Sequence, residues 1–294
     1  MGERSGWMPK QPVAREEYTD IEYLQPHSAE FNKIRQRRQS NFLDALREFS
    51  SPTPEERRDP YEDAIRGQRL GDAFVRNHHI SIESNADPFY VKRFKEQIIN
   101  MAPNPEQGRI MLSGCLAQFG AYEAIKEAIT LQSVPELESA ELYYPLAEED
   151  LHGGTDMFIK MGDTVYAIQL KSFPVPLAHN PVFSAFNPHY PLDDQVDRVL
   201  SPILRNLETS DRNRERLENT AYQSTMRSMK NLLKSAEGYT NVIPLLMTMS
   251  SPLNKSVSDL DEIGQPKTSD LAEKVAKRLI DIHSMRDRLV AEQG

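Results

Sequence analysis

The sequence predicts an α/β protein in which a helix precedes a three-strand meander, and further helices, one more strand and a last helix follow. The main observation is the stretch 142–172, where three short runs rich in β-branched, aromatic and apolar residues are separated by glycine-containing turns. The second observation is the helical spacing of apolar residues in the segments on either side of this stretch. Together they place an α/β core in the second half of the chain.

A hairpin inside this stretch carries the candidate site. The predicted strands cover residues 142–147, 155–160 and 164–171, and a turn around Gly162 joins the last two. Asp156 opens one strand of the hairpin, whereas Gln169 and Lys171 close the other, two residues apart and therefore on one face. The turn folds Asp156 back alongside the other two, so a carboxylate, an amide and an ammonium cluster at one end of the sheet.

This cluster suits metal-assisted chemistry on a phosphate. A hard divalent cation such as Mg²⁺ takes oxygen ligands, which the Asp156 carboxylate, the Gln169 amide and the backbone carbonyl of Leu170 can supply. The metal polarises the phosphate and lowers the pKa of a bound water, and a neighbouring lysine stabilises the developing negative charge. The residue types therefore point to phosphodiester hydrolysis.

The same residues carry a resemblance. A Gly-Gly-Thr-Asp segment ending at Asp156, then twelve residues, then a hydrophobic strand ending in Gln169-Leu170-Lys171, resembles the core of the PD-(D/E)XK nuclease superfamily in the Q-x-K form of Mrr-like restriction endonucleases. The resemblance covers the second half of the chain. It implies a restriction-endonuclease-like core, with Asp156 as the metal-binding aspartate and Lys171 as the catalytic lysine. Gln169 departs from the usual Glu or Asp, so the site has one negative charge fewer.

Glu123 is a further candidate ligand. The segment 111–133 predicts a helix in which Glu123 and Glu127 lie one turn apart. Many nucleases of the family that the chain resembles carry a glutamate on the helix before the first strand, shortly after a glycine, and the run from Gly120 to Glu123 is similar. The alternative for this pair is an ordinary solvated helix face, just as the hairpin residues could be ordinary solvated strand positions.

Composition sets limits on the function. The chain has 294 residues, 38% of them hydrophobic and 27% charged, and Cys115 is its one cysteine, which excludes an internal disulfide and favours a reducing setting. No apolar run approaches a membrane span and no signal region opens the sequence, so we expect a soluble cytoplasmic protein. The net charge of −9 counts against a protein that simply coats nucleic acid, yet leaves a nuclease with a local basic face open.

The N-terminal part predicts a helical extension. Residues 1–27 are polar, contain three prolines and predict a mobile arm. Residues 28–108 form the predicted helical region, with a basic amphipathic helix at 29–49 and further helices at 61–77 and 88–100. The basic helix is either a phosphate contact or a solvated face, and His78-His79 is read as structural. The Pro- and Gly-rich segment at 101–108 marks a boundary, after which 109–294 form the nuclease-like domain.

The segment after Lys171 is rich in proline and aromatic residues and predicts an ordered flap with Phe173, Phe183, Phe186 and Tyr190. Two helices follow at 193–208 and 212–238, with basic residues near the predicted cleft and Gln195 near the start of the first. The apolar run 241–250 predicts a buried strand, and 269–290 a final helix. In the acidic loop at 148–152, a polar connection is favoured over extra ligands.

The leading hypothesis is a metal-dependent endonuclease that acts on DNA. Its site would use Asp156, Gln169, Lys171 and Glu123, and its cofactor would be Mg²⁺, with Mn²⁺ as the alternative. The expected partner is nucleic acid, not a membrane, and a homodimer stays open. A second hypothesis is a nuclease-like fold that binds nucleic acid without cutting it, because Gln169 is neutral. A third is a structural or assembly protein in which the hairpin pattern is coincidental.

Overall fold

The computed structural model describes residues 28–50, 66, 69–71, 73–75, 77–78, 95–100, 102, 105–130, 137, 139–143, 154–173, 182–205, 211–237, 239, 241–252, 258–261 and 263–286. The predicted arm at 1–27 and the acidic loop at 148–152 lie outside these residues, as does most of the predicted helix at 88–100. Their predictions are therefore not compared with the structure.

Five helices and five strands have complete bounds. The helices are α1 (Ala29–Ser50), α2 (Pro105–Thr130), α3 (Leu192–Leu204), α4 (Asp211–Ala236) and α5 (Asp270–Ser284). The strands are β1 (Glu141–Tyr143), β2 (Met157–Met161), β3 (Thr164–Phe173), β4 (Val182–Ala185) and β5 (Val242–Ser250). All five helices and four of the strands correspond to predicted elements, although several bounds differ.

The strands form one mixed sheet in the order β1-β2-β3-β5-β4. Antiparallel pairing joins β1 to β2 and β2 to β3, which confirms the meander and the hairpin. β5 pairs with β3 in parallel and is buried along its whole length, as its continuous apolar run predicts. The α/β class is therefore confirmed, and β3 occupies the centre of the sheet.

β4 corrects one prediction. The segment after β3 was predicted as an ordered flap to which no strand was assigned, but Val182–Ala185 pairs antiparallel with β5 at the edge of the sheet. A strand of four residues is too short to show an alternating pattern, and Pro181 precedes it directly. Phe173 and Phe186 are buried at either end of this segment, whereas Tyr190 is 57% exposed.

Helices pack on both faces of β3. Val165 and Ala167 belong to a buried cluster with residues of α3 and α4, including Val196, Leu200 and Met229. On the opposite face, the Tyr166 hydroxyl lies 2.7 Å from Nδ1 of His283 in α5. Because side chains alternate along a strand, Gln169 and Lys171 continue the face that α4 covers.

The chain divides into two compact units, one within Lys10–Phe119 and one that contains Gly120–Gly294. The division falls inside α2, after the proline-rich segment. The predicted limits 28–108 and 109–294 stay predictions, because a division by contacts does not test independent folding.

In the N-terminal unit, α1 corresponds to the predicted helix at 29–49, and the described residues at 66–78 and 95–100 are helical. Phe31, Phe42 and Leu46 of α1 are buried, but so is Arg38, so the basic residues of α1 do not all lie on one solvated face. His78 is 2% exposed and its ring stacks on Phe74, which supports its structural role. Among the described helices, none has the length and apolar character that a bilayer crossing requires.

Candidate functional site

The hairpin register places Asp156 beside the end of β3. Met157 pairs with Ile168, and the Asp156 amide extends this ladder by donating to the Ile168 carbonyl at 2.8 Å. At the other end, Met161 pairs with Thr164 across a two-residue turn, where Gly162 takes the positive φ of 59° that favours glycine. The tight turn fixes the register, and the register brings Asp156 opposite Gln169.

The Asp156 carboxylate completes the ladder where the backbone of β2 ends. β3 continues to Phe173, so its later amides have no strand partner in β2. The Leu170 amide donates to Oδ2 of Asp156 at 2.5 Å, and Nε2 of Gln169 donates to the same oxygen. The aspartate is thus held by two donors that come from neighbouring positions of β3.

The side-chain amide of Gln169 contacts both the Asp156 carboxylate and the Leu170 carbonyl. Its residue is only 6% exposed, and Nε2 donates to the Leu170 carbonyl at 3.0 Å as well as to Asp156. The amide therefore lies between a carboxylate and a backbone carbonyl. The structure brings together Asp156, Gln169 and Leu170, which the sequence predicts as metal ligands.

Burial disfavours the charged form of the Asp156 carboxylate. Desolvation by burial raises the pKa of Asp156 from its ordinary value of 3.8 to about 6. The Leu170 amide, the Lys171 ammonium and the Gln169 amide each act in the opposite direction, but they offset the desolvation only in part. A partly buried carboxylate whose pKa is raised beside a cation is typical of functional sites.

Lys171 points toward α4. Its Nζ donates to the hydroxyl of Ser228 at 3.1 Å and to that of Ser224 at 3.3 Å. The two serines lie one turn apart on α4, so both hydroxyls meet the same ammonium. Neither serine was predicted for the site, because each lies more than fifty residues beyond Lys171 along the chain.

Gly154 explains how α4 comes so close to the hairpin. Its φ is 63°, and a Cβ added there would lie 2.6 Å from the Ser228 carbonyl oxygen, closer than real Cβ atoms approach. Only glycine combines this backbone conformation with the close approach of a helix. The same turn of α4 therefore contacts the chain just before Asp156 and accepts hydrogen bonds from Lys171.

Glu123 lies in α2, where Gly120 makes a similar close approach. A Cβ at Gly120 would lie 2.5 Å from the Gly264 carbonyl oxygen. Glu123 is partly buried, with one carboxylate oxygen enclosed, so it does not lie on a fully solvated face. Within the described ranges, no group of three or more His, Cys, Asp and Glu could hold a metal ion, and the role of Glu123 stays a prediction.

Gln195 is bound away from this cluster. Its Oε1 accepts from the Asn187 amide at 2.9 Å, and its Nε2 donates to the carbonyls of Asn187 and Tyr190 at 2.8 and 3.1 Å. These bonds fasten the start of α3 to the turn after β4, which is a structural role.

Basic side chains are exposed on the helix that covers Lys171. Arg227, Lys230 and Lys234 of α4 are all exposed, as is Arg205 directly after α3. Acidic side chains also lie near this helix, since burial and, after it, the carboxylates of Asp193, Asp197 and Asp194 in α3 raise the pKa of Tyr222 in α4.

The comparisons with known proteins identify no relative. No protein-family model, no curated protein sequence and no solved structure matches the chain. The function is therefore inferred from the residues of the site itself.

Proposed function

We propose that the protein is a metal-dependent nuclease of the PD-(D/E)XK type that hydrolyses phosphodiester bonds, with DNA as its substrate. The single observation that carries this proposal is the meeting of the Asp156 carboxylate, the Gln169 amide and the Leu170 carbonyl at the end of β3, next to Lys171. The order of helix, meander, short edge strand, helices, strand and helix, with β5 parallel to β3, supports a restriction-endonuclease-like core to which β4 is an addition.

The donor set fits Mg²⁺, with Mn²⁺ as the alternative. A carboxylate, an amide oxygen and a backbone carbonyl are hard oxygen ligands, and Mg²⁺ sites commonly use one or two carboxylates and keep several waters. In this structure Nε2 of Gln169 lies beside Oδ2 of Asp156 and the Leu170 carbonyl oxygen. Metal binding would therefore require the side-chain amide to rotate so that Oε1 takes the place of Nε2. A bound dication would also stabilise the charged carboxylate of Asp156, which burial alone disfavours.

Each residue then has a defined task. Asp156, Gln169 and Leu170 would bind the ion, and the hydrogen bond from the Leu170 amide keeps the carboxylate in place. The Lys171 ammonium stabilises negative charge that develops on the phosphate. When bound, Mg²⁺ supplies polarisation of the phosphate and a more acidic water.

Three exposed basic residues of α4 support nucleic acid as the substrate. The exposed Arg227, Lys230 and Lys234 can contact phosphates beyond the cluster, even though the net charge of the chain is −9. DNA is preferred over RNA only through the resemblance to restriction endonucleases.

A cleavage assay tests the proposal. Plasmid, linear and single-stranded DNA and RNA are incubated with the protein in Mg²⁺, in Mn²⁺ and in EDTA. We expect metal-dependent cleavage that falls by about a hundredfold or more in Lys171→Ala, since that change removes a charge aimed at the reaction. Lys160→Ala is the matched control, because this lysine lies in the same hairpin and, among the described residues, makes a 3.9 Å ion pair with Glu141 away from Asp156.

Three results would count against the proposal. Wild-type activity in Lys171→Ala would remove the lysine from the mechanism. Cleavage in EDTA would show that the reaction does not require a divalent metal ion. Binding of DNA without cleavage in any metal would favour the alternative, a non-cleaving protein with the same fold.

A further inference from the structure

We propose that Ser224 and Ser228 of α4, together with Lys171, form a binding site for one phosphate group. The proposal rests on the nuclease function, because the phosphate would be that of the nucleic acid backbone. It adds two residues of α4 to the site and assigns them to the substrate instead of the metal.

The first argument comes from the hydrogen bonds of the two serines. Both hydroxyl oxygens accept from the Lys171 ammonium, at 3.3 Å for Ser224 and 3.1 Å for Ser228. A hydroxyl that accepts a bond still has its own proton to donate. Across the described part of the chain, neither serine donates that proton to another group.

Not every hydroxyl of α4 keeps its proton available for a ligand, as a neighbouring residue shows. Thr225 lies between the two serines in sequence, is fully buried, and donates its hydroxyl to the Ala221 carbonyl at 2.8 Å. Such a bond to the preceding turn is the usual choice for a hydroxyl inside a helix. Ser224 and Ser228 do not make it, and their protons remain for a ligand.

The second argument is the match to an anion. Two hydroxyl donors and one ammonium meet at one point, and a phosphate group presents several strong acceptor oxygens with negative charge. Ser224 is exposed and Ser228 is partly buried, so the cluster is open to solvent on one side. The two hydroxyls and the ammonium therefore favour an oxyanion over a neutral ligand, although the Asp156 carboxylate also interacts with Lys171.

The third argument is position. A Cβ on Gly154 would lie 2.6 Å from the Ser228 carbonyl oxygen, so this turn of α4 packs on the segment that leads into Asp156. Lys171 belongs to the same strand as Gln169 and Leu170. A phosphate held by the serines and Lys171 would thus lie next to the proposed metal ligands.

The test measures phosphate binding without any metal. Thermal unfolding of the full chain is followed in EDTA with increasing inorganic phosphate, against chloride at matched ionic strength. We expect phosphate, at concentrations too low for its general stabilising salt effect, to raise the Tm of the wild type more than chloride does, because a ligand that binds only the folded state stabilises it. In the double variant Ser224→Ala, Ser228→Ala, the apparent affinity for phosphate should fall by about tenfold or more.

Two variants make the test specific. Ser224→Thr retains the hydroxyl at an exposed position and should keep the phosphate response. Ser235→Ala removes an exposed serine near the end of the same helix and should also leave the response unchanged. Alanine has a higher helix propensity than serine, so the double variant is expected to fold.

The outcomes separate this inference from the nuclease proposal. An equal response to phosphate and chloride in the wild type, or a full phosphate response in the double variant, would overturn the serine site even if DNA is cleaved. A phosphate response that depends on the serines, in a protein that cleaves no nucleic acid, would support the serine site and overturn the nuclease proposal.

Discussion

Two buried glutamines of the same unit have opposite surroundings. Gln195 is 9% exposed, and its three hydrogen bonds all go to backbone groups of residues 187–190. Gln169 is 6% exposed, but its amide donates to a carboxylate whose pKa burial has raised, and to one carbonyl. Around Gln195, the side-chain amide and its backbone partners satisfy one another by hydrogen bonds. Beside Gln169, the Asp156 carboxylate is desolvated, and a bound cation would stabilise its negative charge.

The hydrogen-bond partners of the two side chains distinguish a structural glutamine from a functional one. A side chain that bonds only to backbone fastens one segment to another and has no reason to change partners. A side chain that shares its partner with a desolvated carboxylate can exchange that contact for a metal. The predictions below compare the Gln169 region with the Gln195 region, from the largest expected change in the free energy of unfolding to the smallest.

The largest effect is expected for Gly154→Ala, which disturbs the packing of α4 on the Asp156 segment. A side chain at φ 63° is strained, and its Cβ would lie 2.6 Å from a backbone oxygen, so we expect a loss of about 3 to 4 kcal/mol. Gly162→Ala is the control, because its φ is 59° with no atom within 4 Å of the added Cβ, and it should cost only about 1 to 2 kcal/mol. Denaturant unfolding measures both, and equal losses would mean that the approach of α4 is not tight.

The next effect is expected for Gln195→Ala. The change leaves buried backbone groups around Asn187 without their partners, at a cost of about 2 to 3 kcal/mol. Metal affinity should be that of the wild type, because none of these bonds reaches Asp156. If Gln195→Ala had wild-type stability but no longer bound metal, Gln195 would have a functional role and not a structural one.

The third prediction concerns pH and Asp156. Between about pH 4 and pH 6 the folded protein keeps the Asp156 proton while the unfolded chain has lost it, so this group makes stability fall as pH rises. Asp156→Asn has no such proton, and its stability relative to the wild type should increase over this range by on the order of 2 kcal/mol. Unfolding of both proteins in EDTA from pH 4 to pH 7 measures the difference. A constant difference would mean that the carboxylate is not desolvated.

The smallest change in stability is expected for Gln169→Ala, about 1 kcal/mol, because protonation of Asp156 can offset the lost amide. Gln169→Glu is its companion, since an added carboxylate should tighten metal binding and, without metal, raise the pKa of the pair. Both are measured by unfolding with and without Mg²⁺. If Gln169→Ala destabilises the protein as much as Gln195→Ala, the two glutamines have the same structural role.

Local sequence patterns predicted the parts of the fold that depend on them. The hairpin follows from the apolar runs on either side of Gly162, and β5 follows from its uninterrupted apolar sequence. β4 was missed because pairing with β5, and not its own four residues, makes it a strand. α3 contains Pro202 and ends at Leu204, four residues before its predicted end.

The candidate site was predictable only where its residues are close in sequence. Asp156, Gln169 and Leu170 belong to one hairpin, so spacing and alternation were enough to bring them together. Ser224 and Ser228 come from a distant helix, and their contact with Lys171 depends on how α4 packs on Gly154. Their only local signal is the spacing of one helical turn, which many structural serines share.

The most direct test of the central claim, that Asp156 and Gln169 form a metal site, is a calorimetric titration of the wild type with Mg²⁺ and Mn²⁺. Asp156→Asn, Gln169→Ala and Gln195→Ala are titrated in parallel. The account predicts binding to the wild type and to Gln195→Ala, with affinity reduced by about tenfold or more in the other two variants, because each loses a ligand. Equal affinities in all four proteins, or no binding to the wild type, would contradict it.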